Sequence, residues 1–295
     1  MKKHRRGRSK TDILSGKISA IALLLTLVGC SSAPADQPST PAPSPSPTAL
    51  SLRDFDLGNT DWKLGEGYAN KPRPIVKLQN GKSVTTDDKK LSPSYKLGDV
   101  VYSDLNDDGV EDAAATLEYS DGNVYATFMY LWLAGEQKPT QLLQPIAVER
   151  SCGNSVNKVT AVAGGIKIME TRRTMFDTER SCAEGGTWKE TRTISVEQIG
   201  KNKIWLPVQT APKRGYGGIC NEAIPGDILP FDEPYYLAPN KETKQEFAAN
   251  DQIRGISIAG NGMDATDTAE PEGWKLYNVV EKDDSVERCI WLPVT

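Results

Sequence analysis

Between residues 50 and 210 no stretch sustains the 3.6-residue apolar period that a packed helix needs, whereas short runs alternate apolar and polar residues with a period of two. A chain patterned this way buries strand faces and is restricted to sheet architectures. Turn chemistry marks where the strands stop. Pro74-Ile75-Val76-Lys77-Leu78 runs into Asn80-Gly81, a dipeptide that favours the positive φ angles of a two-residue hairpin. Gly164-Gly165 separates 159–163 from 166–171 in the same manner. Over 123–133, Val124, Ala126, Phe128, Tyr130 and Trp132 share one face while Tyr125, Met129 and Leu131 occupy the other, which predicts a central strand covered on both sides. Runs at 141–148, 187–198 and 203–208 complete the block. The expected fold is therefore an all-β domain over 50–210, a β-sandwich or a partly open barrel.

Ala211-Pro212-Lys213-Arg214-Gly215, followed by Gly217-Gly218, reads as a boundary, so that 211–295 forms a smaller β-rich domain. Within it Asn240 is placed to cap a short helix reaching about Ala249 with Phe247 turned inward, and 253–259, 274–280 and 288–294 read as strands. Ile204-Trp205-Leu206-Pro207-Val208 recurs as Ile290-Trp291-Leu292-Pro293-Val294, and proline in a strand points to an edge position in both copies. Gly273-Trp274 and the final Trp-containing strand resemble a bacterial SH3-like module, although the Asn-Val-Arg-Ser-Gly-Pro start of that family is missing.

The first 29 residues obey other rules. Seven basic residues precede or enter a largely apolar run at 18–29, the layout of a secretory signal. Twelve residues fall short of the roughly 20 that span a bilayer, so the segment is read as cleaved. Leu27-Val28-Gly29-Cys30 resembles the lipobox of bacterial lipoprotein precursors. That resemblance implies a signal peptide of 1–29, cleavage after Gly29, and a mature N-terminus at Cys30 bearing diacylglycerol and palmitate-type acyl chains on the outer face of the cytoplasmic membrane. From 30 to 49 the chain is a linker with six prolines among Ser, Ala and Thr, too poor in apolar residues to build a core. Its eighteen residues from Ser31 to Thr48 would reach up to roughly 55 Å as polyproline II.

Loss of residues 1–29 leaves 28 Lys and Arg against 38 Asp and Glu, a net charge of −10. Nucleic acid and anionic lipid surfaces carry the same sign and are excluded as partners, so contact with the membrane falls to the lipid. The single histidine, His4, goes with the leader. Ser-His-Asp and Cys-His nucleophilic sites and His-ligated zinc are thereby excluded from the mature chain. Besides Cys30 there are Cys152, Cys182, Cys220 and Cys289, an even number suited to an exported protein. Cys152 and Cys182 bracket the 159–171 hairpin, whose antiparallel arms bring them together, and Cys220 and Cys289 lie near the two ends of the second domain, so these are the expected pairs.

Asp104-Leu105-Asn106-Asp107-Asp108-Gly109-Val110-Glu111-Asp112 has the spacing of an oxygen cage for Ca2+. Asp104, Asn106 and Asp108 offer side chains at alternate positions, Gly109 makes the turn, Val110 offers a carbonyl and Asp112 closes the set. Ala115 stands where an EF-hand would have its Glu, and the flanks read as strands. The loop instead resembles the calcium-binding hairpin of FG-GAP-type repeats, and 98–117 resembles a Gly-Asp-Leu-Asn-Gly-Asp-Gly-Val-Glu-Asp-Ala-Val-Val signature of exported bacterial β domains, with Asp107 in place of the first loop glycine. The competing reading is an Asx-rich turn that needs no metal. Five carboxylates in nine residues repel one another, which favours a structural Ca2+.

No catalytic motif emerges. Asp264, Asp267, Glu270 and Glu272 form an acidic cluster read as a solvated loop, and Trp132, Trp188, Trp205, Trp274 and Trp291 are read as core rather than as a sugar-binding surface. The expected function is a membrane-anchored binding or scaffold module of the cell envelope, with the cell wall or another envelope protein as partner. The alternatives are an exported glycosidase-like hydrolase using two carboxylates across a cleft, and an inhibitor or regulator of an envelope enzyme.

Overall fold

The computed structural model describes residues 50–64, 75–84, 93–177, 179–199, 203–212, 214–219, 233–245, 253–258, 273–281 and 287–294. The leader, Cys30, the linker, Cys220, Phe247 and the 264–272 acidic cluster lie outside the described residues. The fold is all-β, as the alternation requires: a curled half-barrel sheet with two smaller sheets. Residues Ser46–Thr295 make up one compact unit.

The first sheet contains β1 (Asp61–Lys63), β2 (Ile75–Gln79), β3 (Lys82–Ser83), β4 (Ser94–Ser103), β5 (Asp112–Ser120), β6 (Tyr125–Leu133), β7 (Thr140–Gln141) and β8 (Ala147–Arg150). They pair antiparallel in chain order up to β7, and β8 joins β6 further along the same edge. Asn80 and Gly81 have φ of 51° and 76° and join Gln79 to Lys82, as the sequence predicts. The expected 141–148 strand is broken into β7 and β8. Pro145, which has no N–H to donate, lies in the break, and Leu142 and Ile146 still bond back to β6 at Leu131 and Met129.

The sheet curls until its ends meet. The Lys63 N–H donates to Gln141 Oε1 at 2.8 Å and Gln141 Nε2 donates to the Lys63 carbonyl at 2.9 Å. One side-chain amide thus stands in for a ladder pair between β1 and β7. Inside lie Leu52, Leu57, Trp62, Leu78, Leu117, Tyr130 and Trp132. Trp62 stands edge-on to Trp132 at 5.0 Å and donates its indole N–H to the Leu57 carbonyl.

The outer face of β5, β6 and β8 packs on the second sheet, formed by β9 (Ser155–Val162), β10 (Gly165–Arg172), β11 (Trp188–Ile199), β12 (Ile204–Ala211) and β13 (Gly215–Tyr216). Leu105, Met129, Leu131 and Ile146 meet Ile166, Ile168, Ile194 and Val196 there. Strand β6 is therefore covered on both sides, as expected. The β9–β10 turn is Ala163-Gly164, one residue earlier than the glycine pair suggests, because Val162 pairs with Gly165. Gly165 belongs to β10, where a Cβ would lie 2.6 Å from the Ile194 carbonyl oxygen.

The third sheet has β14 (Tyr235–Tyr236), β15 (Lys244–Gln245), β16 (Ile253–Ile258), β17 (Trp274–Glu281) and β18 (Glu287–Pro293), in the order β15-β14-β18-β17-β16. Tyr216 of β13 packs against Trp291, Leu276 and Cys289, so the chain passes position 210 without leaving the second sheet. Asn240 does cap, accepting from the Glu242 N–H, but it caps only a single 3-10 turn, Lys241–Thr243. The Thr243 hydroxyl donates back to Ala238 and Asn240, and Lys244 enters β15, so the expected helix does not form. The repeated pentapeptides are not equivalent edge strands. Trp205 is partly buried in β12, which β13 flanks over only two residues, whereas Trp291 is buried in β18 between β14 and β17.

Candidate functional site

The acidic loop joins β4 to β5. Leu105 anchors it: the side chain is 1% exposed in the inter-sheet core, and its carbonyl accepts from the Val196 N–H at 3.1 Å. Around that anchor the loop folds on its own side chains. Asp104 accepts from the N–H groups of Asp108 and Gly109, Asn106 Oδ1 accepts from Asp108, and Asp108 Oδ1 accepts from Val110. Asp107 has φ of 56° and Gly109 has φ of 84°. Asp107 thus holds a left-handed conformation, which Asp is among the few residues besides glycine to adopt readily.

Asp112 is 0% exposed, and its two oxygens accept from the N–H of Leu105 (2.9 Å) and of Ala134 (2.8 Å). Burial pushes its carboxyl up to about 6 against the pull of those two N–H groups, and the charges of Asp108 and Asp104 add to the rise. Outside the turn, Glu111 pairs with Arg53 through two bonds of 2.5 and 2.8 Å, and Arg53 lies over the Tyr102 ring at 4.4 Å.

This donor chemistry suits a hard cation: Asp104, Asn106, Asp108, the Val110 carbonyl and Asp112 are all oxygen donors, and the Asp112 carboxylate lies in a field of two like charges. The oxygens are turned toward the loop's own N–H groups, and Asn106 Nδ2 donates to Asp108 Oδ2 at 2.8 Å. Among the described residues no three acidic, His or Cys side chains are gathered as a metal cluster.

The Cys152–Cys182 disulfide is present, with Cα atoms 4.4 Å apart, where the hairpin geometry places it. Arg173 braces it, donating to Cys152 Sγ and to the carbonyls of Asp177 and Arg180. Asp177 would be raised by its burial, but donors from Thr174 and Thr187 hold its carboxyl below the ordinary range. Cys289 is buried and disulfide-bonded, while its expected partner Cys220 lies outside the described residues.

Two cavities flank β6. A polar groove of about 450 Å3 runs beside β9 and is lined by Asp99, Glu118 and Glu149 together with Thr116, Asn157 and Lys158. Glu118 pairs with Lys96 at 3.3 Å and Glu149 accepts from the Val156 N–H at 3.1 Å, so both serve the sheet. The other cavity, about 550 Å3, opens at the mouth of the barrel. Strand register builds it: Tyr95 opposes Tyr119, Tyr119 opposes Ala126 and Ala126 opposes Arg150, one transverse row across β4, β5, β6 and β8. Phe128 and Tyr130 line it deeper along β6, while Asn123, Val124, Tyr125 and Ser151 form the rim with Cys152. The acidic loop and this mouth lie at opposite ends of β5, nine residues or roughly 30 Å apart.

The tryptophans do not form a surface: Trp132 and Trp291 are buried in different clusters. Tyr95 and Tyr119 do stand side by side across β4 and β5, with ring centroids 5.2 Å apart, a pairing that nothing local in the sequence announces. Comparison with protein-family profiles, curated proteins and solved structures finds no match.

Proposed function

We propose that the chain is the precursor of an exported lipoprotein, tethered through Cys30 to the outer face of the cytoplasmic membrane, whose β body acts as a binding or scaffold module in the cell envelope. The observation that carries this reading is the Cys152–Cys182 bridge, with both cysteines exposed at the surface. Such bonds persist in oxidising compartments and are reduced in the cytosol. The leader and lipobox supply the route, the proline-rich linker supplies reach, and the barrel mouth supplies a concave site. Ca2+ at the acidic loop would be structural, relieving charge around Asp112 far from that mouth, with Asp104, Asn106, Asp108, Val110 and Asp112 as its donors. The test is fractionation of bacteria expressing the full chain or its Cys30→Ala variant. The parent partitions into detergent with the membrane and the variant does not; equal partitioning of the two would overturn the tether.

A further inference from the structure

We infer that the Cys152–Cys182 bridge is a site of directed thiol exchange, at which a small thiol attaches to Cys182 and Cys152 is released as a thiolate held by Arg173. The assignment goes beyond the envelope-module reading and does not depend on the tether. Both cysteines are exposed, so a thiolate from solvent has access to either sulfur. Cys289, also disulfide-bonded but 0% exposed, offers no such access. Exchange proceeds by attack on one sulfur while the other leaves, and it is faster when the leaving thiolate is the more stable one. The surroundings of the two sulfurs differ in that respect.

Cys152 Sγ accepts from Arg173 Nη1 at 3.6 Å. That guanidinium is fixed in place. Its Nη2 donates to the carbonyls of Asp177 and Arg180, the Arg173 N–H donates to Asn154 Oδ1 at 2.8 Å, and the side chain packs over Gly153, where a Cβ would lie 2.8 Å from Arg173 Cδ. A thiolate formed at Cys152 therefore meets a permanent cation, the setting that lowers a thiol's proton affinity. Cys182 opens the 3-10 turn Cys182–Glu184, and among the described residues no donor bonds its sulfur. Glu184 shares that turn, and two bonds of 2.8 Å from Ser181, with the charge of Arg180, hold its carboxyl below the ordinary range. A second negative charge on the same turn is disfavoured. Attack at Cys182 thus has the better leaving group. The incoming sulfur bonds to Cys182 Sγ, the Sγ–Sγ bond breaks, and its electron pair stays on Cys152, so one disulfide replaces another and no oxidant is consumed. The return step is prepared as well: the Gly186 N–H donates to the Gly153 carbonyl at 3.0 Å and, with the Arg173–Asn154 bond, ties the 173–187 loop to the base of the hairpin without help from the sulfurs. Cys152 stays opposite Cys182 and expels the bound thiol, which makes the modification reversible.

The experiment incubates the full mature protein with millimolar glutathione and quenches samples at intervals with N-ethylmaleimide, which caps the released thiol before it returns. Peptide mass spectrometry then maps both adducts. Glutathione appears on Cys182 with maleimide on Cys152, in about tenfold excess over the opposite arrangement. Arg173→Gln brings the two arrangements within about threefold and slows adduct formation, whereas Arg173→Lys, which keeps the charge, retains the preference. Glutathione mainly on Cys152, an even split in the parent, a preference unchanged in Arg173→Gln, or no adduct until urea unfolds the chain would overturn the assignment. Maleimide reaching the buried Cys289 as fast as Cys152 would overturn it too, because the labelling would then report unfolding.

Discussion

Arg192 on β11 is a buried cation that bonds three separate parts of the chain. Its side chain is 5% exposed and its Nε donates to Glu170 Oε1 at 2.6 Å, with Glu170 itself 4% exposed. It also donates to the carbonyls of Gly217 and Ile146, so one guanidinium ties the second sheet to the β7–β8 connection and to the segment entering the third sheet. Glu170 directly opposes Glu190, a second buried carboxylate held by Arg172 at 3.6 Å. Arg192→Met keeps much of the volume but leaves Glu170 uncompensated beside a like charge. Breaking a buried pair in this way costs about 3–5 kcal/mol. For a 250-residue unit that is roughly 6–10 °C of melting temperature. Replacing both partners, Glu170→Leu with Arg192→Met, removes the stranded charge and leaves only the two carbonyls short of a donor, so the double variant recovers to within about 2 kcal/mol of the parent. Urea unfolding monitored by tryptophan fluorescence measures all four corners of the cycle. A single variant costing under about 1 kcal/mol, or a double variant as damaged as the single, would refute the reasoning.

The disulfide, the sheet closure and the buried carboxylate each carry an expected outcome of their own. Removing the Cys152–Cys182 bridge by Cys→Ser at both positions opens a 30-residue loop and costs about 3.6 kcal/mol on the chain-entropy treatment, measured as a urea midpoint shift; a shift below a third of that would contradict it. Gln141→Ala removes both bonds between β1 and β7 and costs about 1–2 kcal/mol, with amide exchange speeding first at Lys63. Asp112 has its carboxyl raised, so the native state holds that proton more tightly than the unfolded chain and loses stability as pH rises from about 4 to 6. In chelator, Asp112→Ala therefore costs about 2 kcal/mol more at pH 4.5 than at pH 7, and millimolar Ca2+ raises the melting temperature of the parent at pH 7 but not that of the variant. A cost independent of pH would show that Asp112 titrates normally.

Local chemistry is legible in the sequence where it is decided by neighbours along the chain. Asn80-Gly81 sets a hairpin, the two apolar faces of 123–133 set a central strand, and the hairpin between Cys152 and Cys182 sets a disulfide. Features that depend on distant partners are not legible in this way. The Gln141 clamp joins residues 78 apart. The Thr243 hydroxyl is hidden for another reason: its partners lie only three and five residues back, but they are backbone carbonyls that any sequence offers. Gly165 has the look of a turn residue in the sequence, yet its reason lies across the sheet at Ile194. The repeated pentapeptide illustrates the same limit: identical residues in β12 and β18 bury different tryptophan surfaces because their neighbouring strands differ. At the candidate site, the oxygen donors of the acidic loop are readable from their spacing, while the tyrosine row becomes visible only once register aligns Tyr95, Tyr119, Ala126 and Arg150.

Intact mass spectrometry of the protein extracted from bacterial membranes tests the central claim most directly. The account predicts a chain that starts at Cys30 with a diacylglycerol thioether on its sulfur and carries the Cys152–Cys182 bond oxidised. Residues 1–29 still attached, or an unmodified thiol at Cys30, would contradict it.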